Sequence, residues 1–332
     1  MYVNTSSLRY RTSAQIKDNN IAGNLSYGQK LERVGTSGQW TMILLNGKKY
    51  YVSSAYVTSK KPASAGAVQT TSQTAAGAQT SGGTAIALSS NYKYANYSKI
   101  NSGTATLYRS TASNKKNKVV CVNAGHGTNG GGSVKTQCHP DGSAKVTGGT
   151  TGAGATSAVA VSSGMTFADG TAESKVTLAM AKVLKTKLLN EGYDVLMIRE
   201  SDDVQLDNIA STVIANNNAD CHIALHWDST SSNKGAFFMS VPSNATYRAM
   251  EPVASHWKQH NQLGESLISG LKSAGVKIYS KGSMEMDLTQ TSYSTIPSVD
   301  IELGDKASDH SGATLETLAN GLLAGVNTFF GQ

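Results

Sequence analysis

The run Val119-Val120-Cys121-Val122-Asn123-Ala124-Gly125-His126-Gly127 constrains this 332-residue chain more than any other stretch. An apolar strand leads directly into a histidine held between two glycines. The glycines permit a sharp turn at the strand's end and keep bulky side chains away from the imidazole. A second apolar run, Ile223-Ala224-Leu225, ends in His226, with Trp227 and Asp228 after it. In open α/β sheets such strand ends converge, and sites form outside the carboxyl edge. Glu173 opens an amphipathic stretch between the two histidines, and Glu302 follows a third apolar strand, Ser298-Val299-Asp300-Ile301. Two histidines and a glutamate are a common set for catalytic zinc, with one position left for water. A further glutamate is what such a site needs to accept and donate protons. Taken singly, each has a plainer reading: a hydrogen-bonded loop histidine, a carboxylate favoured at a helix start, a structural glutamate.

Periodicity supplies the frame. Val176, Met180, Val183, Leu184 and Leu188 recur at helical spacing, and Glu191-Gly192 ends that helix. Val195-Leu196-Met197-Ile198 follows as a strand. Leu206, Ile209, Ala210, Val213 and Ile214 predict a second helix before the strand of His226, and Leu263, Leu267, Ile268 and Leu271 a third. Strand and helix alternate, so the fold class is α/β, a mostly parallel sheet flanked by helices.

In order along the chain, these pieces resemble the catalytic domain of zinc-dependent N-acetylmuramoyl-L-alanine amidases, over about residues 118–332. Gly125-His126-Gly127 matches that family's opening turn after an apolar strand. Glu173, with Leu178 and Ala179 a turn later, matches the glutamate that opens a helix. Ala215-Asn216-Asn217-Asn218-Ala219-Asp220 matches the segment before the third ligand, His226, and Pro297 through Glu302-Leu303-Gly304 matches the close. The resemblance implies Zn2+ held by His126, Glu173 and His226, with Glu302 as the catalytic acid–base. It implies hydrolysis of the amide between the muramyl lactyl group and L-alanine, with peptidoglycan or muropeptides as substrate. A catalytically silent wall-binding protein and a zinc peptidase acting within the stem peptide are the alternatives. The chain departs from the family in having Asn123-Ala124 where Asp-Pro is usual and Trp227-Asp228 where Ala-Asn is usual. Its spacing from His126 to Glu173 is also longer. The extra length, residues 128–169, is dominated by Gly, Ser, Thr and Ala and is expected to wall or cover the cleft.

Other histidines carry less. Cys138-His139 lies in that insertion, His222 reads as structural, His256 and His260 as parts of a surface helix, and His310 as a residue near the cleft mouth. Cys121, Cys138 and Cys221 are an odd count without regular spacing, which argues against a disulfide framework and for buried free thiols.

The first 59 residues are short alternating segments broken by turn residues. Leu8 to Ser13, Gly38-Gln39-Trp40 and Tyr50 to Ser54 resemble bacterial SH3-like domains, so residues 1–59 are expected to form a small all-β, wall-binding barrel. Trp40 and Tyr51 are either its ligand platform or its core. Residues 60–90 are rich in Ala, Gly, Ser, Thr and Gln and read as a flexible linker. Residues 91–117 read as an arm packed on the catalytic domain, residues 118–332. The net charge of +7 comes without a dense Lys/Arg run, which argues against a nucleic-acid binder and suits either an anionic polymer such as the bacterial wall or ordinary solubility charge. No stretch is long and apolar enough to span a membrane. Met1 runs straight into Tyr2-Val3-Asn4 without a secretory signal. A secreted or wall-associated protein is expected, released after loss of a leader or by lysis.

Overall fold

A computed structural model describes residues 1–3, 7–15, 20–26, 29–59 and 82–332. The chain divides into two compact units, residues 1–75 and 76–332.

The first unit is an antiparallel five-stranded sheet in the order Ile21–Ser26, Ser7–Arg11, Lys48–Ser53, Trp40–Leu45, Glu32–Ser37. Tyr2–Val3 pairs separately with Val57–Thr58. Asn46 and Gly47, both with positive φ, make the two-residue turn that joins Leu45 to Lys48; such a turn matches the strands' own twist. Val3, Leu8, Leu25, Leu31, Ile43 and Val52 fill the centre. Trp40 and Tyr51 are half-buried and outside that cluster.

The second unit is built on an eight-stranded sheet. Its order is Ile278–Glu285, Ala236–Ser240, Ser298–Asp305, Cys221–Asp228, Val119–Ala124, Asp194–Met197, Thr104–Tyr108, Thr84–Ala87. The four central strands, Ser298–Asp305 to Asp194–Met197, are mutually parallel. Antiparallel pairings appear only toward the edges. The parallel centre follows from the sequence: Val119–Ala124 and Asp194–Met197 are nearly continuous apolar runs, as burial between two helical layers requires. Cys221–Asp228 and Ser298–Asp305 instead bring His226, Asp300 and Glu302 to one face. Helices Glu173–Glu191, Val253–Ser273 and Gly312–Phe330 bury Leu184, Leu188, Leu267, Leu271, Leu318 and Leu322 on one face. Helix Asn208–Asn218 covers the other with Ala210 and Ile214. Strand residues alternate between these layers, so Cys221 points into the first and Cys121 into the second.

Two expectations need correction. Thr84–Ala87, expected within the linker, is the edge strand paired with Thr104–Tyr108; residues 60–81 of that linker lie outside the described residues. Within the insertion, Lys135–Gln137 and Ser157–Val159 form an antiparallel ribbon, and Cys138 and His139 are buried. His260 is not on the surface. Buried, it accepts a hydrogen bond at Nδ1 from the backbone N–H of Ser298 at 3.0 Å, because its helix packs on the strand that begins there. In the segment read as an arm, Tyr92, Tyr94 and Tyr97 lie against Ile209, Val213 and Tyr293, and Thr104–Tyr108 is itself a strand of the sheet. Asp207, which caps helix Asn208–Asn218, accepts from the backbone N–H of Lys99 and Ile100 and from Ser98.

Candidate metal centre

The predicted residues meet at the carboxyl ends of the central parallel strands. Val119–Ala124 delivers Gly125 and His126, whose backbone is left-handed (φ 66°). Gly125 must be glycine: a Cβ there would lie 2.2 Å from the His226 ring. Gly164, at φ +80°, leaves room for His126 and Glu173 in the same way. Glu173 is the first residue of its helix, where the helix dipole favours a carboxylate. Its Oε1 accepts from the Trp227 backbone N–H at 3.0 Å and its Oε2 from that of Met165 at 2.8 Å.

Three atoms face one point. His126 Nε2 lies 2.9 Å from Glu173 Oε1, and His226 Nδ1 lies 3.1 Å from both. His126 is held from behind, its Nδ1 2.7 Å from the carbonyl of Ser162 in the insertion. Tetrahedral ligands about 2.0 Å from a zinc ion would be about 3.3 Å apart, so the set fits that ion to within a few tenths of an ångström. Among the described residues this is the cluster of His, Cys, Asp or Glu placed to hold a metal.

Electrostatics agrees. Burial raises the Glu173 carboxyl, but hydrogen bonds from His126 and His226 outweigh it and hold the group well below its ordinary value. Burial disfavours a charged His226, yet Asp300 and Glu173 overcome it and raise the ring to about 10. Glu302 stands opposite His226 in the parallel pairing, and burial and the neighbouring Asp300 charge push its carboxyl well above the usual range. Glu302 Oε2 and Asp300 Oδ1 are buried without a hydrogen-bond partner among the described residues. Three carboxylates around two imidazoles, with two acceptors unfilled, make a pocket that calls for a cation.

The cleft above these atoms has a volume of about 430 Å³. One wall is the insertion, through Gly149, Thr150, Thr151, Val159 and Ser162, as expected for residues 128–169. Trp227, Met239 and Met286 line another part, and Asp228 sits at the rim in an ion pair with Lys234. His310 is absent from the lining; its ring packs at a tilt against Phe167, with centroids 4.2 Å apart, and faces Asp169. His222 is also apart from the cluster, buried, and brought down to about 3 by that burial.

Two residues escaped the sequence reading. Asp300 lines the cleft two positions before Glu302, on the same strand face; an aspartate inside an apolar strand was the available signal. Arg199 is buried and donates to the carbonyls of Ala124, Gly125 and Ser174 and to Thr177 Oγ1. It ties the Gly-His-Gly turn to the helix of Glu173. No local pattern marks it.

A chain with this sheet and this strand-end cluster is a hydrolase of the bacterial cell wall. It belongs to the N-acetylmuramoyl-L-alanine amidase family, whose sequence profile matches residues 120–321. Its activity is that of a peptidoglycan amidase, and its action is accordingly extracellular or wall-associated. The fold is similar to that of the N-acetylmuramyl-L-alanine amidase of Mycobacterium smegmatis, with a TM-score of 0.53 and 17% identity over 66% of this chain and 99% of that one. The Mycobacterium abscessus enzyme gives 0.50 and 19% over 64% and 98%. No curated protein matches the chain by sequence.

Proposed function

We propose that this amidase is zinc-dependent, with His126 Nε2, Glu173 Oε1 and His226 Nδ1 as ligands and Glu302 as the catalytic acid–base. The observation that carries the reading is the mutual approach of those three atoms to about 3 Å beside an unpartnered Glu302. Zinc bound there supplies a Lewis-acid face that polarises the scissile amide and acidifies water. The chain's own groups do the rest. Glu302, made more basic by burial and by Asp300, takes a proton from the attacking water and passes it to the leaving amine of L-alanine. Glu173, fixed by two backbone N–H groups, stays ionised and orients both histidines. The insertion and Trp227 narrow the cleft and limit bulk water.

Residues 1–59 are read as an SH3-like wall-binding module of a secreted enzyme. Half-exposed Trp40 and exposed Tyr56 support that reading. The family favours amide cleavage over the stem-peptide peptidase and silent alternatives. The decisive experiment combines metal analysis with digestion of purified peptidoglycan, with and without chelator. One zinc per chain and chelator-sensitive release of free L-alanine amino termini from intact glycan are expected. Turnover that survives complete metal removal rejects the zinc assignment.

A further inference from the structure

We infer that Asp300 is a positioning residue for this centre, accepting the Nε2 proton of His226 so that Nδ1 is presented to the metal. The inference rests on the zinc reading above but concerns a residue outside the ligand set. Nδ1 of His226 is already committed, 3.1 Å from both Glu173 Oε1 and His126 Nε2. The other ring nitrogen faces Asp300 Oδ2 at 3.5 Å. Asp300 has little other employment, since its Oδ1 is buried and unpartnered among the described residues. A carboxylate kept in that state is costly unless something nearby uses it.

Strand register explains how it arrives there. The parallel pairing sets Ala224 opposite Asp300 and His226 opposite Glu302. Residues two apart on a strand share a face, so both carboxylates flank the same imidazole. Of the two, Asp300 is the one that stands within ion-pair distance of the ring nitrogen Nε2. A neutral imidazole can ligate through Nδ1 only with its proton on Nε2. A carboxylate at Nε2 fixes that tautomer, restrains the ring and makes Nδ1 a better donor.

The test measures zinc affinity of the full chain by competition with a chromophoric chelator, for wild type, Asp300→Ala, Asp300→Asn and His226→Ala. Loss of such a partner weakens binding about tenfold to a hundredfold, which is expected of Asp300→Ala. Asp300→Asn, whose amide oxygen still accepts from Nε2, should recover most of that loss. In zinc-loaded wild type the His226 N–H should give a slowly exchanging imidazole resonance by NMR, broadened in Asp300→Ala. Equal zinc affinity in wild type and Asp300→Ala overturns the inference. So does a loss in Asp300→Asn as large as in Asp300→Ala. Unchanged affinity in His226→Ala instead removes the ligand assignment itself, and the two failures are thereby told apart.

Discussion

Asp287 and Glu173 are both carboxylates sunk in the larger unit and bonded to histidine, yet their surroundings are opposite in completeness. Asp287 Oδ2 accepts from His139 Nε2 at 3.0 Å and the Val146 N–H at 2.7 Å. Its Oδ1 accepts from Lys145 Nζ at 3.1 Å, the Thr147 N–H at 3.0 Å and the Thr147 hydroxyl. A buried cation and a full set of donors close that cluster on itself. Around Glu173 the count is left open: Asp300 and Glu302 bring acceptors that have no partner among the described residues. The closed cluster pins the insertion to the rest of the unit. The open one is the place for a ligand, and the difference separates a structural charge network from a chemical one.

Substitutions at each cluster should therefore fail differently. The largest effect is expected at the open one. Glu302→Ala should lose about a hundredfold to ten-thousandfold in turnover on a soluble muropeptide while keeping its zinc. Glu173→Ala should lose the metal as well. A Glu302→Ala protein that arrives without zinc would mean the residue is a ligand, and the comparison would need redrawing. At the closed cluster, Asp287→Ala strands Lys145 in the interior. Breaking a buried pair in this way costs about 3–5 kcal/mol, to be read from denaturant melts, while the folded fraction keeps its metal affinity.

Acid sharpens the same contrast. Burial raises the Asp287 carboxyl, but His139, Thr147, Val146 and Lys145 together hold it well below its ordinary 3.8. A depressed carboxylate stabilises the fold fully above its unfolded pKa and loses that contribution as pH falls toward the folded one. The stability gap between wild type and Asp287→Asn should thus be constant above about pH 5 and narrow below about pH 4. A gap that widens on acidification would contradict the assignment. The smallest effect is expected outside both clusters: removing residues 1–59 should weaken sedimentation with whole walls and leave cleavage of soluble muropeptides within about twofold, because a tether acts by raising effective concentration at an insoluble substrate.

Much of the centre was legible because its parts are local. An apolar strand ending in Gly-His-Gly, a glutamate opening a helix and a glutamate closing a strand can each be seen in a short window. What stayed hidden depends on partners far along the chain. Arg199 reaches back 75 positions to Ala124, and Lys145 forward 142 to Asp287. Such bonds leave no period and no composition. Thr84–Ala87 was missed for a related reason: it joins the sheet by backbone pairing, with Ile86 its one large apolar side chain, and so reads as linker. His260 was misplaced because the apolar stripe of its helix is wide enough to include it.

The alternation that sends Cys121 to one face of the sheet and Cys221 to the other has a consequence for redox behaviour. Although adjacent strands carry them, a layer of hydrogen-bonded backbone separates the two sulfurs, and burial raises both thiols far from the reactive thiolate form. Neither can reach the other without opening the sheet. While the sheet stays folded, these two thiols are kept from pairing with each other and from reacting as thiolates, whatever the redox state of the medium.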